Sequence, residues 1–259
     1  MSLFLLAVLT LWQRELVRFY RQPSRVVGAL APPVLFWLLI GFGLGPSFHA
    51  PGAAGGTSYL AWFFPGVVIL ILLFTAIFSE ISIIEDRREG FLQAVLVSPA
   101  PRAAVVLGKV LGGTTLAVLQ SVLFLLLGPA IGLRVPSIGA LAVLAAVLCL
   151  LAFALTALAA AIAWWLDSTQ GFHAIMNLFL IPMWLLAGTL FPARGAPGWL
   201  GAVMSVNPLT YGVAALRRAL APDSAADLPG FAVSLAVTAA CALLAFGAAG
   251  WVASRRPTR

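Results

Sequence analysis

The sequence predicts an all-α integral membrane protein with six spanning helices, and three observations carry that prediction. Of 259 residues, 62% are hydrophobic and only 9% charged, whereas about a quarter of an ordinary soluble domain is charged. Six stretches reach the roughly 20 apolar residues that a helix needs to cross hydrocarbon. The Lys and Arg residues fall between those stretches and concentrate on one set of alternate loops, as the positive-inside bias requires. A net charge of +7 would also suit a nucleic-acid binder, but that function needs a basic stripe on a soluble face. No nucleic-acid partner is expected; the expected surroundings are a lipid bilayer.

Residues 1–25 come first. Leu5, Val8, Leu9, Trp12, Leu16 and Phe19 recur at helical spacing, with Arg14, Arg18, Arg21 and Arg25 on another side. That pattern predicts an amphipathic helix lying in the membrane surface, Trp and Arg at headgroup depth. It lacks the basic start and small-residue cleavage site of a signal peptide.

The membrane domain follows over residues 26–259, with spans predicted at 26–44, 59–84, 104–131, 138–165, 172–191 and 231–252. Placing the N-terminus in the cytoplasm puts Arg14, Arg18, Arg21, Arg25, Arg87, Arg88, Arg102, Lys109, Arg255, Arg256 and Arg259 on the inner side. Only Arg134, Arg194, Arg217 and Arg218 are left outside. Both termini are therefore expected in the cytoplasm, and the expected location is a bacterial inner membrane. GPSFHAPGAAGGT is an uncharged external loop, GLRVPS a tight external turn, and LDSTQG, with Asp167, a tight internal one. Residues 192–230 are too apolar for a free loop and too interrupted for a span. They read as two short external helices dipping into the membrane and broken at Asn207-Pro208, which requires protein or a watery cavity around them.

The inner loop, residues 85–103, reads EDRREGFLQAVLVSPAPRA. Five consecutive charges, Glu85, Asp86, Arg87, Arg88 and Glu89, mark a helix end. Phe91, Leu92, Val95 and Leu96 then share one face of a short helix. Gly90 permits a sharp turn before it, while Pro99 and Pro101 stop it from continuing into the next span. Such a crosswise two-turn helix could rest among headgroups or fit a groove in a cytoplasmic partner. Five charges in a row exceed what a lipid anchor needs, which favours docking.

REGFLQAVLVSPAPRAAVVLGK resembles the cytoplasmic loop of ABC-2 type transporter permeases: a charged residue, a small residue, a Leu-rich run, Ser-Pro, then Gly-Lys entering the third helix. NPLTYGVAALRRAL, with Asn207, Pro208 and Tyr211, and PMWLLAGTLFPARGAPGWL before it, resemble the segment between the fifth and sixth spans of the same family. The likeness covers nearly the whole chain and is nearest the drug-efflux and Nod-factor-export branch. It implies one half of an exporter for an amphipathic or lipid-like compound. It also implies two separate P-loop ATPase subunits beneath two permease copies or paralogues. The short helix would then be a coupling helix, inserting Phe91 and Leu92, with Val95 on the same face, into an ATPase groove whose rim pairs with Arg87, Arg88 and Glu89. A lipid-linked polysaccharide is the alternative cargo. An ATP-independent secondary transporter is a different class of reading, disfavoured by the lack of inverted repeats or a carboxylate relay.

No enzyme activity is expected of this chain. It has no G-x-x-x-x-G-K-[ST] phosphate loop, since Gly108-Lys109 is preceded by Ala103 at the first glycine position and followed by Val110. ATP and Mg would be cofactors of the partner, with none in this chain. His49 and His173 lack ligand-spaced partners, so no metal site is expected. Cys149 and Cys241 read as packing residues. Ionisable groups inside spans suggest function: Glu80 and Lys109 stand at comparable depth, as an ion pair or as two separately snorkelling groups. Gln120 and Asn177 suggest interhelical hydrogen bonds, Pro32-Pro33 a kink, and Gly41/Gly45 and Gly108/Gly112 close helix packing. Phe36, Trp37, Phe63, Phe64 and Trp184 could line a path for substrate or face lipid.

Overall fold

A computed structural model describes residues 2–45, 58–133, 137–191, 197–220 and 228–255. The external loop carrying His49, the turn carrying Arg134, the parts of the external segment at 192–196 and 221–227, and Arg256 and Arg259 lie outside the described residues. Among the described residues are ten α-helices: α1 (Leu3–Tyr20), α2 (Pro23–Leu44), α3 (Tyr59–Arg88), α4 (Phe91–Leu96), α5 (Arg102–Leu125), α6 (Ile138–Trp165), α7 (Thr169–Trp184), α8 (Gly198–Val206), α9 (Pro208–Leu220) and α10 (Phe231–Arg255). Serine oxygens cap four of them, Ser2 accepting from Leu5 N, Ser58 from Ala61 N, Ser137 from Ala140 N and Ser168 from Gly171 N. These are ordinary N-cap bonds, which satisfy donors that the first helical turn leaves free.

Among the described residues, six helices are long and apolar enough to cross a membrane: α2, α3, α5, α6, α7 with its short continuation to Thr189, and α10. The chain is an all-α, multi-pass membrane protein. α3 is the central post, packed against α2, α5, α6 and α7. In its most apolar window 89% of residues are buried, against 17% for α10, which lies outermost on α6 and α9. A helix of 30 residues is about 45 Å long, well beyond the ~30 Å of hydrocarbon. The last turns of α3 therefore carry Glu85, Asp86, Arg87 and Arg88 past the apolar zone.

The helix boundaries depart from the expected spans mainly at their ends. The second helix starts at Pro23 and runs through Pro32 and Pro33 as one element. The third span, α5, stops at Leu125, and Gly128–Ile131 form a separate 3₁₀ turn. α7 begins at Thr169 and passes into a π-helical turn, Leu185–Thr189, which breaks at Gly188 with φ +76°. Only glycine takes that conformation without strain.

The N-terminal helix differs more. Its buried residues are Val8, Leu11, Glu15 and Phe19, while Leu5 and Leu9 are exposed. α1 packs along α5, where a Cβ on Gly108 would come 2.9 Å from Leu11 Cβ and one on Gly112 2.7 Å from Glu15 Cβ. The Gly108/Gly112 pair thus brings α1 close, and Trp12 Nε1 donates to Thr115 Oγ1 at 3.0 Å. Asn177 is exposed on α7 and makes no interhelical hydrogen bond among the described residues, contrary to expectation. Gln120 meets its expectation, accepting from Thr75 Oγ1 at 3.1 Å.

Candidate functional site: an ionic cluster and a crosswise helix

One end of the bundle gathers the N-terminal helix, the end of α3, α4, the start of α5, the α6–α7 turn and the end of α10. Its centre is Lys109, 1% exposed. The Nζ donates to Glu15 Oε1 at 2.8 Å, Asp86 Oδ2 at 2.6 Å and Ser82 Oγ at 3.2 Å, tying α5 to α1 and α3. Arg14 grips Asp86 with both terminal nitrogens, at 2.6 and 2.9 Å, the fork geometry that suits a carboxylate. Arg18 bonds Asp86 and, at 2.8 Å, Glu85, and Arg25 bonds Glu85 in turn. Burial works against the charge on Arg14, but Asp86, Glu15 and Glu89 together outweigh it and hold the guanidinium pKa above its ordinary value.

A second group closes the other side. Arg87 donates to Asp167 Oδ1 at 2.7 Å and to the carbonyls of Leu166 and Trp164. Arg88 donates to the carbonyl of Asp167. Arg102 reaches the carbonyls of Ala253 and Ser254, which the end of α10 leaves free. Gly90, at φ +78°, turns the chain from α3 into α4. Helix α4 is then fixed by Leu92, 2% exposed in the main core, and by Phe91, whose ring lies 3.7 Å beneath the Arg14 guanidinium. That stacking is a cation–π contact. The face left outward carries Gln93, Ala94 and Val97, the last 81% exposed.

At the opposite end, the break at Gly188 releases backbone carbonyls, and side chains collect them. Asn207 Nδ2 donates to Met183 O at 2.6 Å, Tyr59 to Leu190 O at 3.0 Å, Arg217 to Gly188 O at 3.0 Å and Thr189 to Trp184 O at 2.8 Å. The side-chain Oδ1 of Asn207 also accepts from Leu209 N, starting α9 at an 83° bend from α8. Arg217 lies 4.0 Å over the ring of Trp62.

The sequence profile of ABC-2 type transporters matches residues 7–221, more than half of the chain. It belongs to the ABC-2 type transporter family. Its relatives agree. A protein of Cyanophora paradoxa whose name describes it as a transport permease, ycf38, is 26% identical over 218 residues, covering 83% of this chain and 74% of its own. The daunorubicin resistance ABC transporter permease protein DrrB1 of Streptomyces coeruleorubidus is 23% identical, over 82% of this chain and 74% of its own. Nodulation protein J of Sinorhizobium fredii is 26% identical, over 90% and 86%. The chain is thus a membrane transport permease, and ABC-2 membership implies partnership with ATP-binding-cassette ATPase subunits.

Within this permease, the structure redistributes the expected site residues. Glu80 and Lys109 are not an ion pair: Lys109 is taken by Glu15 of α1 and Asp86 of α3. Phe91, Leu92 and Val95 pack against the permease's own core, so the apolar face of α4 points inward. Asp86 is fully buried, and Glu85, Arg87 and Arg88 bind neighbouring helices, leaving Glu89 as the most exposed carboxylate of the run. Arg14, Arg18 and Arg25, expected against lipid headgroups, hold carboxylates instead. Glu15 escaped the sequence reading; its signal is the spacing Leu11–Glu15–Phe19, one face at helical period. Asn207 and Pro208 form the break between the two short helices, and Tyr211 donates to Ser205 O across it. Trp37, Phe63, Phe64 and Trp184 are buried in helix packing, Trp37 donating to Leu60 O and Trp184 to Gly66 O, while Phe36 is exposed. His173 packs edge-on against Phe78. Cys149 and Cys241 are free thiols, and no metal-binding group occurs among the described residues.

Proposed function

We propose that this permease is the transmembrane subunit of an ABC exporter for an amphipathic or lipophilic compound, driven by two separate ATPase subunits that dock on α4. The observation that carries the proposal is the mounting of α4. It is short, set off from α3 by Gly90, anchored by Leu92 and Arg14, and tied through Asp86 and Lys109 to α1 and α5. A push on its outward face is delivered to three helices at once. Ala94 and Val97 on that face, with Glu89 at its edge, supply an apolar centre and a charged margin for an ATPase groove. The charge bias supports a cytoplasmic side for this end and for both termini. The daunorubicin resistance printed for the Streptomyces coeruleorubidus relative supports an amphipathic cargo.

A second permease copy completes the pathway in this reading. Asn177 supports it, since its amide is exposed next to Leu178 and Phe179, 68% and 64% exposed. A polar amide left facing hydrocarbon is costly, and a facing helix can supply its hydrogen bonds.

The test uses purified permease and the ATPases encoded beside it. Val97→Asp should abolish saturable ATPase binding while leaving the melting temperature of the permease unchanged. Normal binding by this variant would remove α4 as the docking element. Disulfide formation between two copies of an Asn177→Cys variant, in an otherwise cysteine-free permease, reports the second-copy contact; an α7 that never cross-links would remove that contact.

A further inference from the structure

Past the ionic cluster, the face of α3 toward α5 stays polar deep into the bundle. Thr75, Ser79, Glu80 and Ser82 are each no more than 4% exposed. Three helices meet at Gly113 of α5. A Cβ there would lie 2.6 Å from Ser79 Oγ, 2.6 Å from Thr156 Cγ2 and 2.8 Å from Glu80 Oε1. The carboxyl of Glu80 on α3 and the side chain of Thr156 on α6 therefore share the space over one glycine. Glu80 Oε2 and Thr156 Oγ1 are both shut off from the surface, and neither has a protein hydrogen-bond partner. Glu80 Oε1 has a single long contact, 3.5 Å from Ser79 Oγ.

The charges around Glu80 are already committed. Lys109 on α5 is bonded to Glu15 of α1 and Asp86 of α3. Arg14 of α1 also holds Asp86, and α6 contributes only Thr156. An ionised Glu80 would have no cation bonded to it: Lys109 attracts it only at a distance while engaged with Glu15 and Asp86, and Glu15 repels it. A buried, unpaired carboxylate is costly enough that such a group is normally found neutral.

We propose that Glu80 is a proton-binding site, held as a neutral carboxylic acid and joined to Thr156 of α6 by one buried water. The acid hydroxyl donates to the water, and the water donates to Thr156 Oγ1. Ser79 Oγ completes the two to four polar partners that an internal water needs. At this depth the joint between α3 and α6 then carries no charge. α6, with α10 behind it, can shift against α3 there without separating a buried ion pair, the Arg87–Asp167 pair at its end being exposed, whereas α1, α3 and α5 are locked by theirs.

Infrared spectroscopy at neutral pH, on the purified full chain in a maltoside detergent free of carbonyl groups, tests this. A carbonyl stretch of a protonated carboxyl is expected in the wild type, absent in Glu80→Gln and displaced in Thr156→Val. No such band in the wild type would overturn the proton site; a band that Thr156→Val leaves unmoved would overturn the water joint. Should Glu80→Gln not fold, wild-type chain carrying ¹³C-labelled glutamate answers the same question: a band that fails to move with the label does not belong to glutamate and overturns the assignment.

Discussion

At the basic end Lys109, Asp86 and Glu15 bind α1, α3 and α5 together by charge, whereas at the opposite end Asn207, Tyr59 and Arg217 all donate to backbone carbonyls. Both ends solve the same problem, polar groups inside an apolar bundle, but the groups have different origins. At the basic end the polar groups are side chains written into the sequence. At the other they are main-chain carbonyls freed where the helix breaks at Gly188, which hydrocarbon cannot hydrate. A charged lock is rigid and costly to break. A carbonyl clasp made of neutral donors and one stacked guanidinium holds a bent segment without requiring a matched counter-charge.

That contrast is open to measurement, and the largest effect is expected at Lys109. Lys109→Met leaves Asp86 and Glu15 buried without their shared cation and should cost about 3–5 kcal/mol, read as a large fall in melting temperature. Because the cluster is buried, the wild-type value should change little between low and high salt; a strong salt dependence would show that water reaches it. Asn207→Ala strips a donor from Met183 O and the cap from Leu209 N, and should cost about 1–3 kcal/mol. Limited proteolysis should localise the loosening to the α8–α9 bend, and protection equal to wild type there would dissolve the comparison. The smallest effect belongs to Asp167→Asn. Its carboxylate is 72% exposed, so losing the pair with Arg87 should cost no more than about 1 kcal/mol, and less at high salt.

Much of the architecture was legible in sequence. Six apolar runs of sufficient length become six candidate spans, and the Gly90–Pro99 bracket becomes a separate short helix. The break at Asn207-Pro208 stands where turn chemistry placed it. The candidate site was legible as a location but not as a wiring. EDRREG announces charge, yet the pattern does not say that Arg14, Arg18 and Arg25, 60 or more residues away, reach those carboxylates. Phe91 and Leu92 share a face by spacing, and spacing cannot say whether that face turns toward a partner or toward the core.

The sequence alone determined the secondary structure, the number of spans and the end at which charge collects, because hydrophobic length and period act locally along one chain. Only the tertiary structure decided the partners. It gave Lys109 to Glu15 and Asp86 rather than Glu80, turned Leu92 inward, and set Glu80 beside Thr156 over Gly113. Those outcomes depend on how closely helices approach, and close approach is fixed by small residues such as Gly108, Gly112 and Gly113 meeting side chains from distant parts of the chain.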